Sequence, residues 1–129
     1  MKWLTKRELI YIHQRVIQET GGASGVLNEG WLEACLARPL ATAAGQELYP
    51  ELLDKAAALI HSIITTHPFV DGNKRVALVA ADVCLRRNGK RILPSRAVED
   101  FFWSIARGEQ DVAQIREWLA QHTENIEGD

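Results

Sequence analysis

Apolar residues at helical spacing run through most of this chain, and one segment is apolar on nearly every side. Between Val76 and Leu85 only Asp82 interrupts the apolar run. A helix with no polar face must lie in the middle of a bundle, because any exposed side would place apolar surface in water. No stretch alternates with period two for long enough to build a sheet. The sequence therefore predicts an all-α fold arranged around this segment.

Capping and stop signals divide the chain into about six helices. Thr5 and Glu8 form a capping-box pattern at the first helix, and Asp111 with Gln114 opens the last one. The predicted helices, in chain order, run from Thr5 to Gly21-Gly22, Asn28 to Pro39, Pro50 to before His67, Lys74 to Asn88, Ser95 to Gly108, and from Asp111 onward. We expect residues 21–27 to form a surface loop, residues 90–93 a link that could be extended, and the last half-dozen residues to fray.

Length and charge restrict the class of protein. A chain of 129 residues predicts one domain, 1–129, with 47% apolar and 25% charged residues as in ordinary globular proteins. Fifteen Lys and Arg against 17 Asp and Glu give a formal charge of −2. Binding to nucleic acid depends mainly on neutralising phosphates, so this balance argues against direct nucleic-acid binding.

The sequence also predicts a cytoplasmic protein with no role in a membrane. No apolar run approaches the roughly 18 to 20 residues that cross a bilayer, and the N-terminus becomes charged too early for a secretory signal. Cys35 and Cys84 lie in apolar-periodic segments without a CxxC pattern. We interpret them as buried thiols in a reducing compartment rather than as a disulfide.

One stretch departs from what packing alone would choose. It reads His67-Pro68-Phe69-Val70-Asp71-Gly72-Asn73-Lys74-Arg75 and joins two strongly apolar helices. The fourth helix opens at its end, and a helix N-terminus offers unpaired N–H groups and the positive end of the macrodipole. Gly72 permits the backbone conformations that an anion-binding nest requires. The stretch therefore predicts an anion site, with donors from Asn73, Lys74 and Arg75.

The residue types around this nest indicate phosphate chemistry. The macrodipole disfavours cations at a helix N-terminus, so Lys74 and Arg75 there suggest an anionic ligand. Asp71 is an oxygen ligand of the kind that Mg²⁺ takes alongside phosphates. His67 is the residue type best suited to accept a proton near neutral pH. Base, metal ligand and phosphate cradle together indicate phosphoryl or nucleotidyl transfer.

The stretch resembles the signature of the Fic/Doc superfamily, His-x-Phe-x-Asp/Glu-Gly-Asn-Gly-Arg-x-x-Arg. It matches at His67, Phe69, Asp71, Gly72, Asn73 and Arg75, and it has Lys74 where most Fic proteins have glycine. That lysine, followed by Val76-Ala77-Leu78, is similar to the death-on-curing (Doc) branch of toxins from toxin–antitoxin pairs. Further similarities are the chain length, Gly21-Gly22, Arg38-Pro39 and Leu85-Arg86-Arg87-Asn88-Gly89.

The resemblance implies a function. Fic proteins mostly transfer AMP from ATP to a protein hydroxyl, whereas Doc-type toxins transfer the γ-phosphate, and their known target is a threonine of translation elongation factor Tu. By resemblance, ATP and Mg²⁺ are the cofactors and His67 is the general base. Asp71 holds the metal, and Phe69 anchors the loop. Gly72, Asn73, Lys74 and Arg75 hold the phosphates.

The resemblance also implies a partner, a Phd-like antitoxin whose disordered tail folds as a helix on an apolar groove. We expect that groove beside the first two helices, away from the phosphate nest or only partly over it.

Two departures keep alternatives open. Leu78 stands where Fic enzymes have their second arginine, and this weakens the hypothesis of AMP transfer. Val79 stands where the phage member of the Doc branch has an asparagine. The alternatives are a protein adenylyltransferase, a catalytically weakened antitoxin-binding module, and, on the first two helices alone, a DNA-binding helix-turn-helix. Residues 123–128 match the autoinhibitory pattern Thr-x-x-x-Glu-Gly, but its glutamate normally pairs with the missing arginine, so we reject that reading.

Other chemistry-bearing residues receive structural interpretations. His13 and His61 lie on or beside apolar stripes, which indicates core or boundary packing. The four tryptophans, at positions 3, 31, 103 and 118, are predicted to be core.

Overall fold

Six helices make up most of the computed structural model, which describes residues 1–126. They are α1 (Lys6–Thr20), α2 (Glu29–Ala37), α3 (Leu52–Thr66), α4 (Asn73–Arg87), α5 (Ala97–Ala106) and α6 (Val112–His122). A 3₁₀ turn, Arg38–Leu40, follows α2 directly. The all-α prediction with about six helices is confirmed. None of the helices in the described part of the chain has the length and apolarity needed to span a bilayer.

Local signals set the helix ends much as the sequence predicts. The Thr5–Glu8 capping box forms at α1, and the Asn28 side chain accepts the Trp31 N–H at 3.0 Å before α2. The largest difference is at α3, which begins at Leu52 rather than at Pro50. Glu51 and Asp54 form a capping box there. Glu51 is therefore the N-cap, and Pro50 lies just before the helix.

The centre of the bundle is shared by α3 and α4. Nine of the 15 residues of α3 are buried, and α3 packs against α2, α4, α5 and α6. Seven of the 15 residues of α4 are buried, while Leu78, Val79 and Val83 are half-buried. The alanine run 56–58 in α3 lets neighbouring helices approach closely, since interaxial distance depends on side-chain size. The most enclosed helix is therefore α3, which precedes the motif loop, with α4 beside it.

Two short antiparallel strand pairs complete the fold. β1 (Thr42–Ala43) pairs with β2 (Gln46–Glu47), and β3 (Lys90–Ile92) pairs with β4 (Thr123–Asn125). β3 confirms the expectation that residues 90–93 can be extended. β4 lies partly within the last half-dozen residues, which the sequence predicts to fray. Pairing with β3 supplies hydrogen bonds that the terminal sequence does not reveal. Residues 127–129 of that predicted frayed end lie outside the described residues.

The β3–β4 pair also bears on the rejected autoinhibitory pattern. Thr123 begins β4 rather than a helix, and β3 follows the C-terminal end of α4. Thr123 pairs with Ile92, whose N–H donates to the Asp82 side chain at 2.9 Å. Asp82 is nine residues after the first residue of α4, so at 1.5 Å per residue Thr123 lies beside a part of α4 roughly 13 Å along its axis from the motif loop. Glu127 and Gly128, the remaining fixed positions of the pattern, lie outside the described residues.

The two cysteines lie in the core as free thiols. Burial raises the pKa of the Cys35 thiol to about 11 and that of Cys84 to about 12. A buried thiol with a raised pKa is a poor nucleophile, because the reactive species is the thiolate. Both therefore act as small apolar residues, as the sequence predicts.

The tryptophans depart from the prediction. Trp31 and Trp103 are 44% and 47% exposed, and Trp3 and Trp118 are only half-buried. In α5 the apolar stripe is already filled by Val98, Phe102 and Ile105, so Trp103 projects from its edge. The assignment to the core is therefore wrong for Trp31 and Trp103, whereas Trp3 and Trp118 pack against the core from its edge.

Candidate active site

The segment between α3 and α4 forms one wall of a cavity of about 490 Å³. The facing wall is α5. The cavity is lined by His67, Val70, Asp71, Gly72, Asn73, Lys74, Arg75, Leu78, Ser95, Val98, Glu99, Phe102 and Trp103. Every predicted site residue except Phe69 therefore borders the same space, and Phe69 is buried beneath the loop.

His67 ends α3 in a left-handed backbone conformation, with φ 58° and ψ 62°. This is the position where helices most often place glycine, since a Cβ is disfavoured there. The following Pro68 also disfavours helical dihedrals at the residue before it. The conformation turns the chain out of α3 and leaves the His67 side chain exposed on the cavity wall.

Asn73, the first residue of α4, closes the loop on itself. Its Oδ1 accepts the Phe69 N–H at 3.1 Å, and its Nδ2 donates to the Phe69 carbonyl at 2.9 Å. Both groups lie in the buried part of the loop, and Asn73 is only 7% exposed. The side chain therefore fixes the loop, and what it can offer a phosphate is its remaining Nδ2 hydrogen together with its backbone N–H.

His13, from the middle of α1, supports the same loop from below. Its ring stacks on Phe69 with centroids 4.1 Å apart and planes 5° from parallel. Because a carbonyl can only accept, Nε2 carries the hydrogen and donates to the Asp71 carbonyl oxygen at 3.0 Å. The predicted core position of His13 is confirmed, since it is 2% exposed. Its contact with the motif loop is not visible in the sequence.

The exposed glycine-rich loop after α1 holds Asp71. The Ala23 N–H donates to Asp71 Oδ2 at 3.0 Å. A Cβ on Gly22, whose φ is +106°, would lie 3.2 Å from that same oxygen. The two segments also pair through Val26 and Phe69. Residues 21–27 are thus a surface loop, as predicted, but one that positions the proposed metal ligand.

No side chain among residues 1–126 caps the N-terminus of α4. Gly72 is the N-cap, with φ 76°, whereas the carboxylate of Asp71 bonds to the Ala23 N–H instead. Asp71 therefore does not cap this helix. The first N–H groups of α4 remain available at the positive end of the helix dipole, which is the arrangement that binds anions.

Both cations of the motif border the cavity at this helix end. The Lys74 ammonium lies over the Trp103 ring, 4.0 Å from its centroid. Arg75 is exposed. Among residues 1–126 neither Lys74 nor Arg75 forms an ion pair with a carboxylate. Their positive charge is therefore not neutralised by the described part of the protein.

Asp71 is the candidate ligand for a divalent cation. Within residues 1–126 no three His, Cys, Asp or Glu side chains are grouped so that they could hold a metal ion. A single carboxylate beside an anion site fits Mg²⁺, which usually takes one or two carboxylates together with ligand phosphates and water. The donor set is therefore suited to a metal that arrives with a nucleotide.

The α5 wall is the part of the site that the sequence does not reveal. Ser95, which precedes α5, and Glu99 and Trp103 of α5 border the same cavity as the motif. A signal for Trp103 does exist, because residues 98, 101, 102 and 105 already make a complete helical stripe and residue 103 falls outside it. An aromatic side chain outside the buried stripe is not needed to pack α5 against the core, so its position indicates a possible functional role.

Comparisons with known proteins agree with this site. A sequence model described as the Fic/DOC family matches residues 3–85, which include the whole motif. The Toxin Doc of Mycolicibacterium smegmatis is 42% identical over 103 residues, covering 78% of this chain and 79% of the relative. The Protein kinase doc of Escherichia phage P1 is 33% identical over 119 residues, covering 92% and 94%.

Proposed function

The chain belongs to the Fic/DOC family, and we propose that it is a Doc-type toxin that acts as a phosphotransferase. In this proposal it moves the γ-phosphate of ATP to a hydroxyl of a translation factor, with elongation factor Tu as the first candidate, and so arrests translation in the cytoplasm. The names of the two relatives, a toxin and a protein kinase, support both parts of the proposal.

The observation that carries the proposal is the uncapped start of α4. Its free N–H groups open on a cavity that His67, Asp71, Lys74 and Arg75 also border. A helix N-terminus, one carboxylate and two cations that form no ion pair within residues 1–126 suit a metal-bound polyphosphate. An imidazole on the same wall suits a hydroxyl substrate.

His67 performs the proton transfer in the proposed reaction. It accepts the proton of the target hydroxyl as that oxygen bonds to the γ-phosphorus. The bond between the γ-phosphorus and the β–γ bridging oxygen breaks, and ADP leaves. The backbone N–H groups at the start of α4, with Lys74 and Arg75, hold the phosphates in line. Mg²⁺, held by Asp71, would neutralise phosphate charge when bound.

Leu78 favours phosphate transfer over AMP transfer. It borders the cavity about one turn into α4, at the place where the Fic signature has its second arginine. An apolar side chain there cannot bind a phosphate oxygen. The second arginine of the AMP-transfer signature is therefore replaced here by an apolar residue. Conversely, Lys74 supplies a cation at the position where that signature has glycine.

The proposed partner is a Phd-like antitoxin. In this proposal its tail is disordered alone and folds as a helix beside α1 and α2. Protection from hydrogen exchange, measured with and without the antitoxin, should then increase in α1 and α2. Protection confined to α5 and α6 would contradict this placement.

The reaction type is tested with labelled nucleotide. Elongation factor Tu is incubated with the protein, Mg²⁺ and ATP labelled at either the α- or the γ-phosphate, and the target is analysed by mass spectrometry. The expected result is label from the γ position only and a mass gain of one phosphate. Label from the α position would instead establish AMP transfer.

Two variants accompany this experiment. His67→Ala should abolish transfer, because the hydroxyl loses its base. His122→Gln replaces a histidine at the end of α6, away from the cavity, and should transfer at the normal rate. If His67→Ala remained toxic in growing cells, the protein would act as a binding module rather than as an enzyme.

A further inference from the structure

Lys74 rests on an aromatic ring rather than beside a carboxylate. Its ammonium is 4.0 Å from the centroid of the Trp103 ring. Within residues 1–126 it has no ion-pair partner and no side-chain hydrogen bond. Both residues border the cavity, and Trp103 is 47% exposed. The Trp103 ring is thus partly exposed to solvent and contacts the Lys74 ammonium.

A cation on a ring face keeps its charge available to a ligand. A carboxylate would neutralise the ammonium and occupy its donors, whereas the ring attracts it through its quadrupole and leaves N–H groups directed away from the ring. The contact also restricts a flexible four-carbon stem before a ligand arrives, which lowers the entropy lost on binding. Trp103 therefore prepares Lys74 for an anion.

The contact directs that charge from the first turn of α4 to a side chain of α5. Lys74 is the second residue of α4, Trp103 belongs to α5, and both border the cavity. Glu99, one turn before Trp103 on α5, also borders the cavity. Without the ring, the released ammonium could turn towards this carboxylate and be neutralised.

We propose that Trp103 is a positioning residue that holds the Lys74 ammonium on the α5 wall, giving the site a second anion-binding point that selects chains of phosphates over a single phosphate. The inference rests on the proposed function, because it assumes that the start of α4 binds phosphate. A single phosphate contacts only the helix N-terminus, whereas a longer chain also reaches the ammonium. Trp103 should therefore matter more as the phosphate chain lengthens.

Binding of inorganic phosphates of increasing length tests this inference. Phosphate, pyrophosphate and tripolyphosphate are titrated into the full chain by isothermal calorimetry, each with Mg²⁺. Trp103→Leu should weaken tripolyphosphate binding about three- to fivefold, the range expected for a partly exposed cation–π contact. Phosphate binding should stay unchanged, and Trp103→Phe should give an intermediate loss.

The role of the lysine is isolated by a double-mutant cycle. If Trp103 acts through Lys74, Trp103→Leu should have no further effect on tripolyphosphate binding in a Lys74→Met background. Trp31→Leu serves as the matched control, because Trp31 is 44% exposed and lies outside the cavity lining. Thermal melts of all variants verify folding, and Trp103→Phe carries the comparison if Trp103→Leu unfolds.

The possible outcomes separate this inference from the proposed function. If the unmodified protein binds none of the three probes, the phosphate site itself is refuted. If it binds tripolyphosphate but Trp103→Leu binds it equally well, Trp103 has no positioning role and the phosphate site stands. The inference would also be overturned if Trp103→Leu weakened the binding of all three probes equally. The same holds if Trp103→Leu weakened tripolyphosphate binding as much in the Lys74→Met background as in the unmodified protein.

Discussion

His67 occupies a backbone conformation in which most residues other than glycine are rare. Its φ of 58° at the end of α3 carries a cost for a side chain with a Cβ. Conformations of this kind persist where the surrounding structure enforces them and are concentrated at functional sites. A glycine at this position would cost less free energy, but it would have no side chain on the cavity wall. The histidine is less stable in this conformation and places an imidazole there.

The variant His67→Gly should separate stability from activity. We expect it to stabilise the fold by about 1 kcal/mol, because glycine adopts this conformation without a Cβ clash, and to abolish transfer. Urea denaturation and the labelled-ATP assay provide the two measurements. Gln14→Gly is the control, since it replaces an exposed residue in the interior of α1 and should destabilise by about 1 kcal/mol. Lower stability for His67→Gly would show that the conformation is not strained.

His13 offers a second prediction at this scale. His13→Phe keeps a ring to stack on Phe69 but removes the N–H that donates to the Asp71 carbonyl. The expected loss is about 1 kcal/mol of unfolding free energy, together with several-fold weaker binding of Mg-ATP, because the loop carrying Asp71 is less restrained.

His13→Ala removes both contacts and should destabilise further, by about 3 kcal/mol in total, as for other large core truncations. Urea denaturation and calorimetric titration with Mg-ATP measure the two effects. Unchanged nucleotide affinity in His13→Phe would mean that the hydrogen bond does not position the loop.

A buried lysine helps to fix the segment between α2 and α3. Lys55 is 3% exposed, and its ammonium donates to Glu47 Oε1 at 2.9 Å and to the backbone carbonyls of Tyr49 and Pro39. These contacts tie the β1–β2 pair and the 3₁₀ turn to the first turn of α3. The chain between α2 and α3 thereby gains a fixed place despite having little apolar surface.

Replacing this lysine should loosen the segment. Lys55→Met keeps the length of the stem but leaves two carbonyl oxygens without their donor, so we expect a loss of about 2 kcal/mol and faster hydrogen exchange in residues 42–49. Glu47→Gln, at a half-exposed partner, should cost less than 1 kcal/mol. Equal stability of Lys55→Met and the unmodified protein would contradict the assigned role.

At the scale of the whole molecule, an ion pair joins the start of α1 to the end of α4. Arg87 Nη1 donates to Glu8 Oε1 at 3.0 Å, and Nη2 also contacts the carboxylate. Arg87, followed by the Thr5 backbone N–H, holds the pKa of the Glu8 carboxyl at about 2. The pair connects helices that are distant in sequence and closes one end of the bundle.

This pair predicts how stability depends on pH. The pKa of Glu8 is lower in the folded state than the ordinary value of about 4.3 in the unfolded chain. Its contribution is therefore present above about pH 5 and is lost as the pH falls towards 2. The urea midpoint of the unmodified protein should decrease when the pH is lowered from 6 to 3. The decrease should be smaller in Glu8→Gln.

Glu19→Gln is the control for this measurement. The carboxylate of Glu19 lies 3.8 Å from Arg15 in the same helix and is largely exposed, so this variant should show the same acid dependence as the unmodified protein. A fall in the Glu8→Gln midpoint as large as in the unmodified protein would exclude Glu8 as a source of the acid sensitivity.

Features that depend on residues close together in the chain follow from the amino-acid sequence alone. Caps such as Thr5–Glu8 and Asp111–Gln114 set helix ends, because donor and acceptor lie three residues apart. The motif from His67 to Arg75 is equally local, since a single loop and the first turn of α4 contain all its chemistry. Its residues could therefore be predicted to share one site before any packing was known.

The surroundings of that motif depend instead on packing between segments that are distant in the chain. His13 meets Asp71 across 58 residues of sequence, and Trp103 reaches Lys74 from a different helix. β4 pairs with β3 although the terminal sequence by itself predicts fraying. Helical periodicity indicates which face of an element is buried but not which element covers it, because apolar burial is non-directional and many pairings bury similar areas. The partners of each face are fixed only when all the helices pack together.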